Sequence, residues 1–303
     1  MIKKITIQDF ESAFGEELSS FVREKISGFV FEYEEVQEKD KDFLVLSILK
    51  SISAGLRKAG PHRAQDWIQG WAENRDEVKQ SIKPKYFGKL PHVRWQGKFI
   101  KPISEDFEYN MAQVLQFWLF EKYMSGSTSI YEFGCGTAHN LLRAEEVSPT
   151  AKLYGLDWAT SSQETIKEIN KLHGKNIQGH NFNFFEIDHE FKLDTSSAVY
   201  TFAALEQVGE SHTDFIDYLI GQNPSICLHV EPIAELLNPE SNLLDYLSVE
   251  YFRERNYLRN FYNHLKDLET SGKIEIIRAQ RSQIGSFYVD GYSIVAWRPV
   301  CQN

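Results

Sequence analysis

The chain has 303 residues, of which 42% are hydrophobic and 25% charged, with a formal net charge of −10. Such a composition supports a sizeable core and excludes a disordered chain, and the length suits one large domain or one domain with a smaller cap. The acidic balance argues against a wide face that grips nucleic acid, so no nucleic-acid partner is expected.

No apolar run reaches the roughly 18 residues of a membrane span, and the start MIKKITIQDFESAFGEEL lacks the apolar core of a secretion signal. Cys135, Cys227 and Cys301 are odd in number and form no CxxC pair. They point to a reducing cytoplasm, with neither disulfides nor a metal site.

Residues 1 to about 125 read as mostly helical. Phe10, Phe14, Leu18, Phe21 and Val22 recur at helical spacing, and Glu32 to Asp42 is an acidic link. Phe43 to Leu56 is apolar enough for a buried helix, stopped before Gly60-Pro61. His62 to Ser81, with Trp67, Ile68, Trp71 and Val78, reads as a third helix. These helices form a cap that is either structural or selects a substrate.

Pro84 to Ser104 holds three prolines, two glycines and several aromatics, which predicts a loop with fixed corners. Between Lys79 and Lys101 stand seven Lys/Arg residues and no Asp or Glu. The stretch is either a solvated basic loop or a lid over a site for an anionic ligand. In the second case Arg94, beside Trp95, would grip a carboxylate or phosphate. Glu105 to Met124 is a helix with an apolar stripe from Phe107 to Leu119.

Ser129 to Asp157 is the stretch around which the rest of the chain is organised. It reads as strand, the tight turn Gly134-Cys135-Gly136, a helix from Thr137, and a second strand ending in Asp157. That unit sets a glycine-lined backbone and a helix N-terminus beside a ligand, with an acid about 20 residues on to hold a ribose. A dinucleotide G-x-G-x-x-G would need glycine where His139 stands. The pattern acid-x-G-x-G-x-small fits as Glu132, Gly134, Gly136 and Ala138.

On these residues the chain resembles the class I S-adenosylmethionine-dependent methyltransferases, with Ala138 in place of the third glycine. The resemblance covers about residues 125 to 300. It implies S-adenosyl-L-methionine as cofactor, its methionine end at the turn near Glu132, Gly134, Gly136, Thr137 and Asn140. It also implies that Asp157 takes the ribose hydroxyls, that Trp158 lies against the adenine, and that Asn183 or Asp188, with Asn183 favoured, faces the adenine amino group.

Ser161 to Glu164 has the spacing of a capping box for the next helix, and Asn176 to Phe185 is a third strand with its exit. Ser197 to Ala203 is a fourth strand, His212 to Gly221 a helix, and Ser225 to Val230 a fifth strand. Asn242 to Leu268 reads as one long aromatic helix, either a homodimer face or core; Lys273 to Ala279 and Phe287 to Arg298 close as a hairpin. The expected fold is α/β, a Rossmann-like seven-stranded methyltransferase sheet with an antiparallel last strand, plus a mostly helical cap. The expected division is 1–104, cap and basic lid, and 105–303, the cofactor-binding domain.

A hydroxyl acceptor needs a general base. Glu206, His212 and Glu231 are the candidates, because all follow the carboxyl ends of strands, although Glu206 also fits a loop anchor. The fourth strand runs into TFAALEQ rather than N/D-P-P-Y/F, which excludes the adenine and glutamine N-methyltransferase motif. The expectation is O-methylation of a small or saccharide acceptor with anionic character. A nicotinamide-dependent oxidoreductase and an inactive methyltransferase-fold scaffold are the alternatives.

Overall fold

The computed structural model describes residues 1–77 and 83–300. Val78, Lys79, Ser81 and Cys301 lie outside the described residues. In chain order the first part comprises β1 (Ile2–Lys4), α1 (Ile7–Phe14), α2 (Ser20–Ile26), β2 (Glu32–Glu35), α3 (Glu38–Ser53), α4 (Ala64–Glu77), β3 (Val93–Trp95) and β4 (Lys98–Pro102). Then come α5 (Phe107–Met124), β5 (Ser129–Phe133), α6 (His139–Val147), β6 (Lys152–Asp157), α7 (Thr160–His173) and β7 (Ile177–Asn181). The rest is β8 (Ser197–Phe202), α8 (Thr213–Gln222), β9 (Ile226–Glu231), α9 (Leu243–Arg255), α10 (Phe261–Thr270), β10 (Ile274–Arg281), β11 (Ile284–Gly285) and β12 (Ser293–Pro299).

Among the described residues, seven strands form the main sheet in the order β10-β12-β9-β8-β5-β6-β7. Strands β5 to β9 run parallel, and β12 is antiparallel to both its neighbours. Parallel strands are covered on both faces, and β5, β8 and β9 are buried along their whole length. Ile130 and Tyr200 join the core under α5, whereas Tyr131, Phe133 and Val199 join the core with Phe215 and Phe261 on the opposite face. Strand order reverses between β5 and β8, and ligands bind at such a crevice in open α/β sheets.

The N-terminal region departs from the helical cap. It holds a second sheet, β1-β2-β4-β3-β11. The acidic link contains β2, and the basic loop contains the β3–β4 hairpin. Gln96 and Gly97, both at positive φ (47° and 68°), form its two-residue turn, the geometry that matches the twist of paired strands. Strand β11 crosses the expected division at residue 104, because it pairs with β3.

Other boundaries also shift. The first amphipathic stretch breaks at Gly15 (φ 74°) into α1 and α2. Helix α3 is a surface helix: Ile48 faces Leu247 of α9, while Phe43 is 71% exposed. Its apolar run exceeds the single face that a neighbour covers. The long aromatic helix is two helices, α9 and α10, parted where Asn256 and Asn260 take left-handed conformations. Helix α7 starts at Thr160 without a side-chain cap. No helix among the described residues is long and apolar enough to cross a membrane.

Candidate active site

Strand β5 ends in the glycine turn. Gly134 N and Cys135 N both donate to the Leu156 carbonyl, at 2.7 and 3.0 Å, which locks the turn to β6. Gly134 sits at φ +77°, and a Cβ there would stand 2.4 Å from the Cβ of Ala204. Only glycine lets the turn and the loop after β8 approach so closely. Gly136, at φ +51°, lies under the ring of Trp71, which a Cβ would meet at 2.9 Å. Ala138 also takes a left-handed conformation (φ 59°) and opens α6.

Glu132 is fully buried beneath this turn. Asn140 Nδ2 donates to its Oε1 at 2.6 Å, and Gln116 Nε2 donates to Asn140 Oδ1 at 2.6 Å. Burial pushes the Glu132 carboxyl up to about 8, against the contacts of Asn140 and Tyr200. Glu132 and Asn140 therefore brace the turn from inside. Thr137 Oγ1 is hydrogen-bonded to His139 Nδ1 at 2.9 Å, and burial pushes that imidazole down to about 3, so it is neutral.

Asp157 ends β6 and faces the turn. Gly136 N donates to its Oδ2 and Ala159 N to its Oδ1, each at 2.8 Å. Burial raises its carboxyl to about 6, against these two bonds and Ser162. Each carboxylate oxygen keeps a further lone pair for a hydroxyl donor.

A cavity with about 510 Å³ of empty space, open solvent included, lies beside these groups. Gly134, Asp157, Trp158 and Asn183 all line it, so the structure brings together four residues singled out from sequence. Trp158 tilts against Phe185 with centroids 5.7 Å apart, and Asn183 Oδ1 accepts from Phe185 N at 3.0 Å. Asp188 is elsewhere, accepting from Glu190 N and Phe191 N.

The opposite wall of this cavity comes from α4, a helix that its sequence alone did not assign to the site. Trp67 and Trp71 stack at 5.3 Å and both line the cavity. Ser161 Oγ donates to the Ile68 carbonyl at 2.8 Å, and Arg75 pairs with Glu164, so α4 is fastened to α7. Two tryptophans four residues apart on one helix were the available signal.

The three candidate bases separate. Glu231 is fully buried, and its carboxylate accepts from the backbone N–H groups of Ala204, Leu205 and Glu206 at 3.0–3.1 Å. Burial raises it to about 7. This group anchors a loop and has no reach to a ligand. His212 is buried on the far core, where Nε2 donates to the Arg259 carbonyl at 3.0 Å and the ring meets Phe261. Glu206 is half-buried and lines a second cavity of about 520 Å³, with Ala203, Tyr251, Tyr257, Tyr288 and Tyr292. Ala203 lines both cavities.

Arg94 and Trp95 do not form an anion lid. Arg94 is 3% exposed and donates to the carbonyls of Phe287, Leu244 and Tyr288 and to Ser248 Oγ. Trp95 packs edge-on against Phe10 in the core. Adjacent residues of β3 point to opposite faces, and both faces are covered, so both side chains are buried; Arg94 ties the second sheet to α9 and to the strand linker at 287–288.

No protein-family model and no curated protein matches the sequence. Solved structures do match. The [4+2]-cyclase SpnF aligns over 80% of this chain and 97% of its own, with a TM-score of 0.51 and 13% identity. The SAH-bound Podospora anserina methyltransferase PaMTH1 aligns over 88% of this chain and 98% of its own, at TM-score 0.46 and 12% identity. The Streptomyces davawensis dimethyltransferase RosA, titled for N,N-8-amino-8-demethyl-D-riboflavin, aligns over 65% of this chain at TM-score 0.45 and 13% identity. The chain spans 55% of the length of RosA and 58% of that of the O-methyltransferase NcsB1. With its strand order and antiparallel β12, the chain has a Rossmann-like α/β fold, which it shares with SpnF.

Proposed function

We propose that this protein is an S-adenosylmethionine-dependent methyltransferase acting on a small molecule. The observation that carries the reading is the placement of Asp157. It holds Gly136 N–H, faces the cavity and stands between the glycine turn and the aromatic shelf of Trp158 and Phe185. The fold alone does not name a reaction, since SpnF is a [4+2]-cyclase.

The cavity's lining fits the nucleoside end of the cofactor, with Asp157 for its ribose hydroxyls and Trp158, Phe185 and Asn183 for its adenine. The first turn of α6, which would take its carboxylate, lies outside that lining, and Trp71 covers Gly136. When bound, the cofactor supplies a methyl group already activated on a sulfonium. The protein's part is to align an acceptor and exclude water, and the α4 tryptophans, which line the cavity, suit the second task. O-methylation of an anionic saccharide gains no support, because the donors of Arg94 are committed to the chain's own carbonyls and Ser248.

Calorimetric titration with S-adenosylmethionine, S-adenosylhomocysteine and NAD tests the reading, with Asp157→Ala as control. Charge-assisted hydrogen bonds contribute about 1.5–3 kcal/mol each, so the variant should bind on the order of tenfold or more weakly. Binding of NAD alone, or of none of the three, overturns it.

A further inference from the structure

We propose that the cavity around Glu206 is the acceptor pocket and that it takes a basic amine, whose ammonium Glu206 recognises and deprotonates. The location rests on the methyltransferase reading; the amine class rests on the pocket's own lining.

Position comes first. The Glu206 cavity shares a lining residue with the cofactor-side cavity, Ala203, a non-glycine residue in a left-handed conformation (φ 50°) at the carboxyl end of β8. Strained backbone of this kind persists where surrounding structure enforces it, and here Ala203 N is tied to the Val230 carbonyl at 2.9 Å.

Charge and shape give the ligand class. Among the described residues that line the cavity, Glu206 is the one charged side chain; the rest are four tyrosines, Ser286, Val289, Gly291 and Ala203. Aromatic side chains gathered around a carboxyl group that can ionise recognise a cationic nitrogen, whereas an anion would hold that carboxyl neutral and gain no ion pair. The nearby cation, Arg255, lies over the Tyr257 ring at 5.1 Å and donates to the Arg57 carbonyl and the Tyr257 hydroxyl.

The pocket is also held rigid. Glu231 accepts the N–H of Glu206 and of the two residues before it, and Gln207 Nε2 donates to Glu206 Oε1 at 2.7 Å. On the other side, Tyr251 and Tyr288 stack at 5.1 Å. Arg94 holds the Tyr288 carbonyl, and Arg281 bridges Asp245 of α9 to Asp290.

Burial and the charge of Glu231 push Glu206 up to about 8, against Gln207, Arg255 and Tyr257; Tyr251 and Tyr292 also face it. An ammonium entering the pocket therefore displaces the proton from Glu206. The ammonium proton then passes to the carboxylate, and the nitrogen keeps its electron pair as a neutral amine.

The test uses 2-phenylethylamine, 2-phenylethanol and phenylacetate, alike in shape and different in charge. Each is titrated calorimetrically into the full chain, alone and with S-adenosylhomocysteine, in two buffers of different ionisation enthalpy at pH 7. The amine should bind at least tenfold more tightly than the other two and release a proton. Glu206→Gln should remove that preference while leaving S-adenosylhomocysteine affinity unchanged, and Glu206→Asp should restore part of it. Equal binding of the three probes, preference for phenylacetate, no binding of the amine, or a preference that survives Glu206→Gln overturns the proposal. Failure of S-adenosylhomocysteine to bind overturns the methyltransferase reading instead and is read separately.

Discussion

Gly134 is where the geometry of the site is most exposed to a single atom. In Gly134→Ala, the new Cβ meets two obstacles. The residue sits at φ +77°, and a left-handed conformation costs a side chain about 1–2 kcal/mol. The methyl would also stand 2.4 Å from the Ala204 Cβ, and overpacking of this kind costs about 1–3 kcal/mol. The expected loss is about 2–5 kcal/mol, read by urea unfolding followed through tryptophan fluorescence. The two parts are separable, because Ala204→Gly removes the methyl that is struck and leaves the backbone strain. The double variant should recover about 1–3 kcal/mol relative to the sum of the singles. Stability of Gly134→Ala within about 0.5 kcal/mol of the parent, or strict additivity in the cycle, would refute the close approach of the turn to the Ala204 loop.

Arg94→Met should lower stability by at least about 2 kcal/mol, since it takes the donor from the Phe287 and Tyr288 carbonyls in a buried setting, while Leu244 and Ser248 keep each other as partners. Unchanged stability in urea would show instead that the guanidinium is free for a ligand. Glu231→Leu leaves three backbone N–H groups without their acceptor and should cost about 3 kcal/mol or more, with Glu231→Gln intermediate; equal stabilities would remove its anchoring role. The melting temperature should fall as pH rises from 6.5 to 8.5. Glu132, Glu206 and Glu231 are raised to about 8, 8 and 7, so the folded state holds protons that the unfolded chain has released, and this stabilisation is lost through that window. Below pH 6.5, His139 and His229, lowered to about 3, act in the opposite sense, because the unfolded chain takes up protons that the folded one refuses. A melting temperature that is flat or rises over 6.5–8.5 contradicts these assignments.

The glycine turn, Asp157, Trp158 and Asn183 were legible because their chemistry is local: a turn, a strand end and a strand exit each carry their signature within a few residues. The main sheet was legible for a related reason, since buried parallel strands read as short apolar runs. The second sheet was not. Strand β3 is three residues long, and its partner β11 lies far along the chain, so no window held both. Arg94 misled because a guanidinium in a basic stretch looks solvated until the carbonyls that surround it are known. Glu206 was named, but its tyrosine walls come from α9, the α9–α10 link and the linker at 286–292, segments that only tertiary structure gathers. The structure likewise separated Glu231 from Glu206, since which of two neighbouring carboxylates faces backbone amides depends on the fold of the loop between them.

Strand β11 has a consequence for how the protein is made. Chains emerge from the ribosome N-terminus first, and domains generally fold as they appear. Here β3 waits for Ile284 and Gly285 before its outer edge is covered, and Arg94 waits for the carbonyls of Phe287 and Tyr288. Until residues 284–288 have been made, the β3 edge has no partner and Arg94 lacks its carbonyl acceptors. Contacts this distant in sequence slow folding, and open edges invite pairing with other chains. The nascent chain therefore keeps that edge open until β11 emerges, and removing β11 would harm the N-terminal sheet as well as the site.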